Sequence, residues 1–374
     1  MKILYVSLNY TSHDYRFLKK MVESGNEIFF VTLNNKESYR ETRPVPNEVK
    51  TVQDLNFIPD LMNFEKIISL MPFFEEIIKK ISPDIIHAGP VQSCGFLTAL
   101  ADFHPFVLMS WGSDILVDGD RNDLSKWITR FTIKKSGRIV CDCDAVRKKI
   151  HEIADYSDDK IVQFPWGIDL QMFSRGHDTL HYKSTHNWEN CFILLSTRMW
   201  EPIYGINFVL RSFHAAYGKN PKLRLILLGK GSQEPEIRKF IDQNNLHKVI
   251  VLPGSISNDL LPDYYRAADA YISCALSDGT SVSLLEAFAS GLPVIVTDAP
   301  GNQEWVIHGK NGWLIKAGDV RGFTDAILTV SNKSQGDLDA IAKRNRNISE
   351  QKANWDKNSK KLLTMYHQIG EKDD

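Results

Sequence analysis

The chain lacks most of the features that announce a function at once. No stretch approaches the ~18 consecutive apolar residues of a membrane-crossing helix. The opening MKILYVSLNY is a short strand-like run, without the apolar core and small-residue cleavage site of a secretory leader. Cysteine is scarce, with only Cys94, Cys141, Cys143, Cys191 and Cys274 in 374 residues. An odd number of thiols in a long chain without a leader argues for reduced cysteines and a cytoplasmic setting. An excess of one charge is missing too: 45 Lys and Arg stand against 46 Asp and Glu. Nothing global therefore points to nucleic acid or another polyanion. Low-complexity tracts, short-period repeats and a Gly-x-x-x-x-Gly-Lys-Ser/Thr phosphate loop are absent. Cys141-Asp142-Cys143 has no second Cys or His pair at zinc-site spacing. Asp142-Cys143-Asp144 has the spacing of a metal-binding acid pair, but it falls where a strand meets a helix, and Asp144 reads as the helix cap.

What is present is alternation. At 374 residues the chain exceeds one ordinary core, so two domains are expected. In the first half, strand candidates Lys2–Ser7, Glu27–Thr32, Asp84–His87, Phe106–Met109, Arg138–Cys141 and Lys160–Gln163 interleave with amphipathic helices near 15–23, 64–81, 91–102, 124–135 and 145–154. The pattern stops after Phe164-Pro165-Trp166-Gly167-Ile168-Asp169 and restarts at Cys191. Strands Cys191–Ser196, Leu223–Leu228, Val249–Leu252, Ala270–Ser273 and Pro293–Thr297 then alternate with helices near 205–217, 234–244, 259–267 and 281–290. Repeated strand-helix-strand units predict parallel, doubly wound sheets, so the fold class is α/β with two Rossmann-like domains facing a central cleft. The expected division is 1–170, a linker at 171–190, and 191–354, with a final helix at 355–370 packing back on the first domain. The residues from Glu371 onward read as a solvated tail.

Ligands of such sheets sit in loops beyond the carboxyl ends of the strands. The most informative loop runs from Ser277 into the apolar helix Ser281–Ser290. Asp278 lies in the loop, and Glu286 lies inside the helix between Leu285 and Ala287, where an unpaired charge is costly. Thr280 or Ser281 is expected to cap the first turn, leaving amide N–H groups and the positive end of the helix dipole to favour phosphate. Arg198 after one strand and Gly229-Lys230-Gly231 after the next bring two more strand-end loops to the same side. Each has a plain alternative: Asp278 with Gly279 as a turn, the glycines as turn formers.

Pro165-Trp166-Gly167-Ile168-Asp169, Ser196-Thr197-Arg198, Leu228-Gly229-Lys230-Gly231, Leu252-Pro253-Gly254-Ser255 and the block from Asp278 to Ile295 resemble the retaining glycosyltransferases of the group 1 family with the GT-B fold. Pro300-Gly301-Asn302-Gln303-Glu304 and Asn311-Gly312-Trp313-Leu314 continue the likeness. The resemblance implies that Glu286 binds ribose hydroxyls and Asp278, where the family usually has Glu, binds hydroxyls of the donor sugar. Backbone groups of Gly279, Thr280, Ser281 and Val282, aided by Arg198, would receive the diphosphate, and Gly254, Ser255 and Ile256 would face the base. The family usually adds a Lys shortly after that Arg; Tyr204 stands there, with Lys230 as a substitute cation.

On the acceptor side the family's His-Gly pair is replaced by Trp111-Gly112, followed by Asp114. Trp111 also has the plain reading of a packing residue, and His13, Asp14 and His87 are expected to point towards the cleft. The implied reaction is front-face displacement without a protein nucleophile, metal or separate cofactor, the nucleoside-diphosphate sugar being a co-substrate in polysaccharide biosynthesis. Acceptors would be glycans, lipid-linked sugars or small molecules, and no nucleic acid is implicated. Two alternatives remain: a sugar-nucleotide epimerase of similar two-domain fold, and a catalytically inactive partner subunit. Lys19-Lys20, Lys79-Lys80, Lys134-Lys135 and Lys148-Lys149 read as solvated faces, or as contacts to anionic lipid at the inner membrane face if they share a side.

Overall fold

The computed structural model describes residues 1–34, 41–52, 64–176 and 181–371. Residues 177–180 of the expected linker and 372–374 of the expected tail lie outside them. The chain divides into two compact units, one built from the described parts of Met1–Pro165 and Asn358–Asp374, the other from Trp166–Lys357.

The first unit carries β1 (Lys2–Ser7), β2 (Glu27–Thr32), β3 (Lys50–Thr51), β4 (Ile85–Gly89), β5 (Phe106–Met109), β6 (Arg138–Cys141) and β7 (Ile161–Gln163), in the order β3-β2-β1-β4-β5-β6-β7. The second carries β8 (Phe192–Ser196), β9 (Leu223–Leu228), β10 (Ile250–Gly254), β11 (Ala270–Ser273), β12 (Val294–Thr297) and β13 (Gly312–Ile315), in the order β10-β9-β8-β11-β12-β13. All pairings in both sheets are parallel. In the second sheet successive side chains feed two cores. Leu194, Leu225, Leu227, Ile272 and Ile295 pack on one face, and Ile193, Leu195, Ile226, Tyr271, Val294 and Val296 on the other. Burial on both faces explains why these strands read as continuous apolar runs.

Most expected elements shift by a residue or two. β10 extends through Pro253, which an edge strand accommodates because no partner needs its missing N–H. The helix expected at 91–102 is a π-helical turn, Val91–Gly95, running into an α-helix, Phe96–Leu100. Asp144 does not cap its helix: Cys143 holds the cap position, and the Asp144 carboxylate pairs with Lys148 at 2.7 Å. The described part of the expected linker is folded onto the second unit, where Phe173, Tyr182 and Trp188 are buried. The apparent polarity of that segment hides three aromatic anchors. The helix Lys360–Gly370 packs on the first unit, with Leu362, Met365 and Tyr366 buried.

Candidate active site

The loops that follow β8, β9, β10 and β11 are knitted together by backbone contacts. Gly229 N–H donates to Gly254 O at 2.9 Å, Trp200 N–H to Lys230 O at 3.0 Å, and Leu276 N–H to Ile203 O at 2.8 Å. Gly205 has φ +63°, and a Cβ there would stand 2.2 Å from Cys274 O. Only glycine allows that approach. It brings Tyr204, the last residue of a short turn, over the side chain of Arg198.

Arg198 is the centre of this cluster. Its Nη1 donates to Ser281 Oγ at 2.8 Å and to Ser283 Oγ at 3.1 Å, and its Nη2 pairs with Asp278 Oδ2 at 2.8 Å. Tyr271 OH donates to Ser283 Oγ at 2.7 Å, fixing that acceptor. The guanidinium carbon lies 4.2 Å from the centroid of the Tyr204 ring, a cation–π stack. The Arg198 side chain is 11% exposed and that of Asp278 19%. Burial works against the charge on Arg198, but Asp278, Tyr204 and Tyr271 outweigh it and hold the group above its ordinary range. It stays a cation at any pH the protein survives.

Glu286 sits inside the helix Val282–Ala289 and is 8% exposed. Tyr265 OH donates to Glu286 Oε2 at 2.9 Å and lies 3.1 Å from both Ser283 O and Thr197 Oγ1. Burial first, then the Glu286 carboxylate, push the Tyr265 hydroxyl well up, so it remains a donor. The sequence pattern thus brings Arg198, Asp278, Ser281 and the helix of Glu286 together as expected. Ser281, one of the two residues expected to cap the helix, takes the N-cap position but makes no capping bond; its hydroxyl accepts from Arg198 instead. Thr280 is buried, and Val282 opens the helix. Lys230 is exposed, with its stem near Gly254, where a Cβ would stand 3.5 Å from Lys230 Cε. Ser255 is exposed and Ile256 packs against the second core.

Gly301 and the hydroxyls of Tyr265, Tyr271 and Ser283 received no role from sequence. The only signal was the apolar context, in which buried hydroxyls require partners. A Cβ on Gly301 would stand 2.1 Å from Gly279 O, so the loop after β12 presses directly on the loop that carries Asp278.

In the first unit the expected acceptor-side residues separate. His13 and Trp111 meet, with ring centroids 5.1 Å apart, and both stay partly exposed. Asp14 does not face outward. It is buried, and its carboxylate accepts from Thr11 N–H at 2.8 Å, from the Thr11 hydroxyl and from Tyr5 OH at 3.0 Å, closing a capping box on the helix Ser12–Glu23. Asp114 is buried likewise, accepting from Ser110 Oγ at 2.7 Å and from the amides of Trp111, Ile115 and Val91 at 3.0–3.1 Å. It ties the loops after β4 and β5. Gly112 N–H donates to Ser110 Oγ at 3.1 Å within that knot. His87 lies fully inside the core beside Tyr5, hydrogen-bonded through Nδ1 to the Tyr366 hydroxyl. The strand read as ending at His87 continues to Gly89 and is buried throughout, so His87 lies in mid-strand and not in the loop beyond it. Burial depresses its pKa to about 3, so it stays neutral. Among the described residues no group of three or more His, Cys, Asp or Glu side chains is placed to hold a metal ion.

Comparison with known proteins adds the family context. Residues 191–333 match the family model described as glycosyl transferases group 1, and residues 2–143 the model described as glycosyl transferase 4-like. The chain is 25% identical over 346 residues to the UDP-Gal:alpha-D-GlcNAc-diphosphoundecaprenol alpha-1,3-galactosyltransferase of Escherichia coli, covering 86% of this chain and 84% of that protein. It is 28% identical over 153 residues to the UDP-N-acetylglucosamine–peptide N-acetylglucosaminyltransferase GtfA subunit of Streptococcus gordonii, covering 39% of this chain and only 29% of that subunit. Among solved structures, sucrose-phosphate synthase from Thermosynechococcus elongatus superposes with a TM-score of 0.82 at 15% identity, over 99% of both chains.

Proposed function

The chain is a GT-B glycosyltransferase, its amino half of the glycosyl transferase 4-like family and its carboxyl half of the group 1 family, and from that premise we propose that it transfers a sugar with retained anomeric configuration, and without a metal ion, from a nucleoside diphosphate to an acceptor hydroxyl. The carrying observation is Arg198, clamped beside the first turn of the helix that holds Glu286. In this reading the amides of Thr280, Ser281 and Val282 receive the diphosphate with Arg198, Glu286 accepts from the ribose hydroxyls, and Asp278 faces the sugar. Charge-assisted bonds of this kind are the strong ones.

The bond from the anomeric carbon to the diphosphate breaks, and the acceptor oxygen bonds to that carbon from the same face. The acceptor's proton passes to the departing phosphate oxygen. Arg198 and the helix amino end oppose the charge that develops there, and this fixed electrostatic environment supplies the catalysis. On the first unit, the ring pair of His13 and Trp111 offers an apolar face with polar edges, which suits a sugar acceptor.

The same proposal includes peripheral contact with an anionic membrane face. Carboxylates occupy many of the paired lysines: Lys20 meets Glu23, Lys135 meets Asp102, Lys148 meets Asp144, and Lys149 meets Asp120 and Glu152. The support lies on the helix Asp123–Lys135, whose residues 124–135 hold four cations and no acid. Leu124 is 54% and Trp127 56% exposed, Trp127 stacks on Phe131 at 5.3 Å, and Arg130 and Lys134 are exposed beside them. Exposed tryptophan interleaved with cations matches an interfacial helix.

One experiment tests these parts together. The protein is incubated with a panel of sugar nucleotides, uridine diphosphate sugars first because both relatives described above carry UDP donors in their names. Free glycans and lipid-linked acceptors in anionic vesicles are compared, with and without chelator. The expected product carries the donor's anomeric configuration, forms in the presence of chelator, and the protein sediments with anionic but not neutral vesicles. An inverted product, an epimerised donor without acceptor, or loss of turnover with chelator each removes the corresponding part.

A further inference from the structure

Arg198 must serve two anions in the site just described. Asp278 Oδ2 holds its Nη2 at 2.8 Å, with both side chains largely shielded from water. A diphosphate placed at the start of the helix Val282–Ala289 needs the same guanidinium. The local charge is unfavourable for it: Arg198 contributes one positive charge, and Asp278 and Glu286 contribute two negative ones. Tyr204 occupies the position where sequence expectation placed a second cation, and it offers a ring face rather than a charge. Lys230 is exposed on the neighbouring loop, and among the described residues the cluster's ion pair is that of Arg198 with Asp278. In a shielded site a carboxylate this close to an incoming phosphate is strongly repulsive.

We propose that Asp278 is an internal competitor for the donor's diphosphate: it holds Arg198 in the arrangement seen here, and diphosphate binding takes the guanidinium from it, turning the freed carboxylate to the donor sugar. The inference rests on the donor-site reading above and adds an exchange of partners to it. Three features make the exchange workable. Ser281 and Ser283 keep Nη1 fixed at 2.8 and 3.1 Å, so Arg198 stays in place when Asp278 leaves. The Tyr204 ring restrains the guanidinium plane from one face at 4.2 Å. Asp278 sits in the loop before the helix and its side chain is 19% exposed, so the carboxylate has an open side towards which to turn.

This predicts opposite signs for binding and turnover. Asp278→Asn removes the competing charge at constant shape, so uridine diphosphate alone should bind about tenfold more tightly, the size expected from deleting one shielded like charge. That gain should shrink as salt is raised. Turnover with the sugar nucleotide should fall more than tenfold at saturating donor, because the sugar loses its carboxylate. Asp278→Ala should give the same sign in binding, which protects the test against a misfolded first variant. Tyr204→Phe should keep near-normal binding, and Tyr204→Leu should weaken it. The measurement is calorimetric titration of the full chain with uridine diphosphate at two ionic strengths, alongside steady-state kinetics. Unchanged or weaker binding by both Asp278 variants, with normal binding by the unaltered protein, overturns the exchange alone. Absence of binding to any nucleoside diphosphate by the unaltered protein overturns the donor-site reading and the exchange with it.

Discussion

Glu286 is tolerated in an apolar helix because Tyr265 meets it. The carboxylate accepts the Tyr265 hydroxyl at 2.9 Å, and the same hydroxyl lies within 3.1 Å of Thr197 Oγ1 and Ser283 O, so one phenol links the loop leaving β8, the helix Leu261–Ala267 and the helix Val282–Ala289. We class Tyr265 as a positioning residue. Tyr265→Phe should cost about 1–3 kcal/mol of stability, the usual penalty for stripping a partner from a buried acceptor. On the donor-site reading proposed above, in which Glu286 holds the ribose and not the reacting bond, it should also raise KM for the donor while leaving kcat closer to normal. Urea unfolding and donor-titrated initial rates check the two parts, and a fall in kcat with KM unchanged would assign Tyr265 a different role. Sequence made the acids and Arg198 visible, since a charge inside an apolar helix and an Arg just past a buried strand are local anomalies. Tyr265 was silent: it comes 21 residues before Glu286, and nothing in its own helix distinguishes a functional hydroxyl from a packing aromatic.

Whole elements were the most legible features, because a parallel strand buried on both faces must be apolar throughout, and the strand-helix alternation is hard to produce otherwise. Loop contacts were not, since they depend on which turns approach one another. Gly301 shows the difference. It is the second residue of the short helix Pro300–Gln303 after β12, and a Cβ there would reach 2.1 Å from Gly279 O and 2.9 Å from Asp278 O. The neighbouring Asn302 side chain donates to Thr297 O at 3.0 Å, while the Thr297 hydroxyl donates to Ala275 O at 2.6 Å, so neither loop yields easily. Gly301→Ala should therefore displace the Asp278–Ser281 loop. We expect a stability loss of about 1–3 kcal/mol, the range for an overpacked contact. The kcat/KM for the donor should also fall by more than about tenfold, because misplacement of a binding group by a fraction of an ångström is costly. Equal activity with a lowered melting temperature would mean that the backbone absorbs the methyl elsewhere.

At the scale of the whole chain, the feature sequence could not supply is the pairing of residues far apart. His87 on β4 meets Tyr366 on the helix Lys360–Gly370 across 279 positions, joining the first and last parts of the first unit. Read from sequence, a His at a strand end suggests an acceptor contact; in the fold its ring is fully buried, and its Nε2 finds no hydrogen-bond partner among the described residues. The consequence is a pH dependence of stability with a definite sign. The folded pKa, about 3, lies below the ordinary 6.5, so the neutral ring is the form the fold accepts. Above pH 6.5 both folded and unfolded chains hold His87 neutral, and the fold carries no penalty. As pH falls from 6.5 towards 3, the unfolded chain binds a proton that the folded chain refuses, and stability drops by up to about 1.4 kcal/mol per pH unit. The loss should appear first where the pair sits. Hydrogen exchange at pH 6.5, 5.5 and 4.5, corrected for intrinsic rates, should show β4 and the helix Lys360–Gly370 opening progressively. His87→Phe, which cannot titrate, should flatten that dependence even if it lowers stability at neutral pH. An equally steep slope in the variant would assign the acid sensitivity to other groups and leave the burial of His87 without thermodynamic consequence.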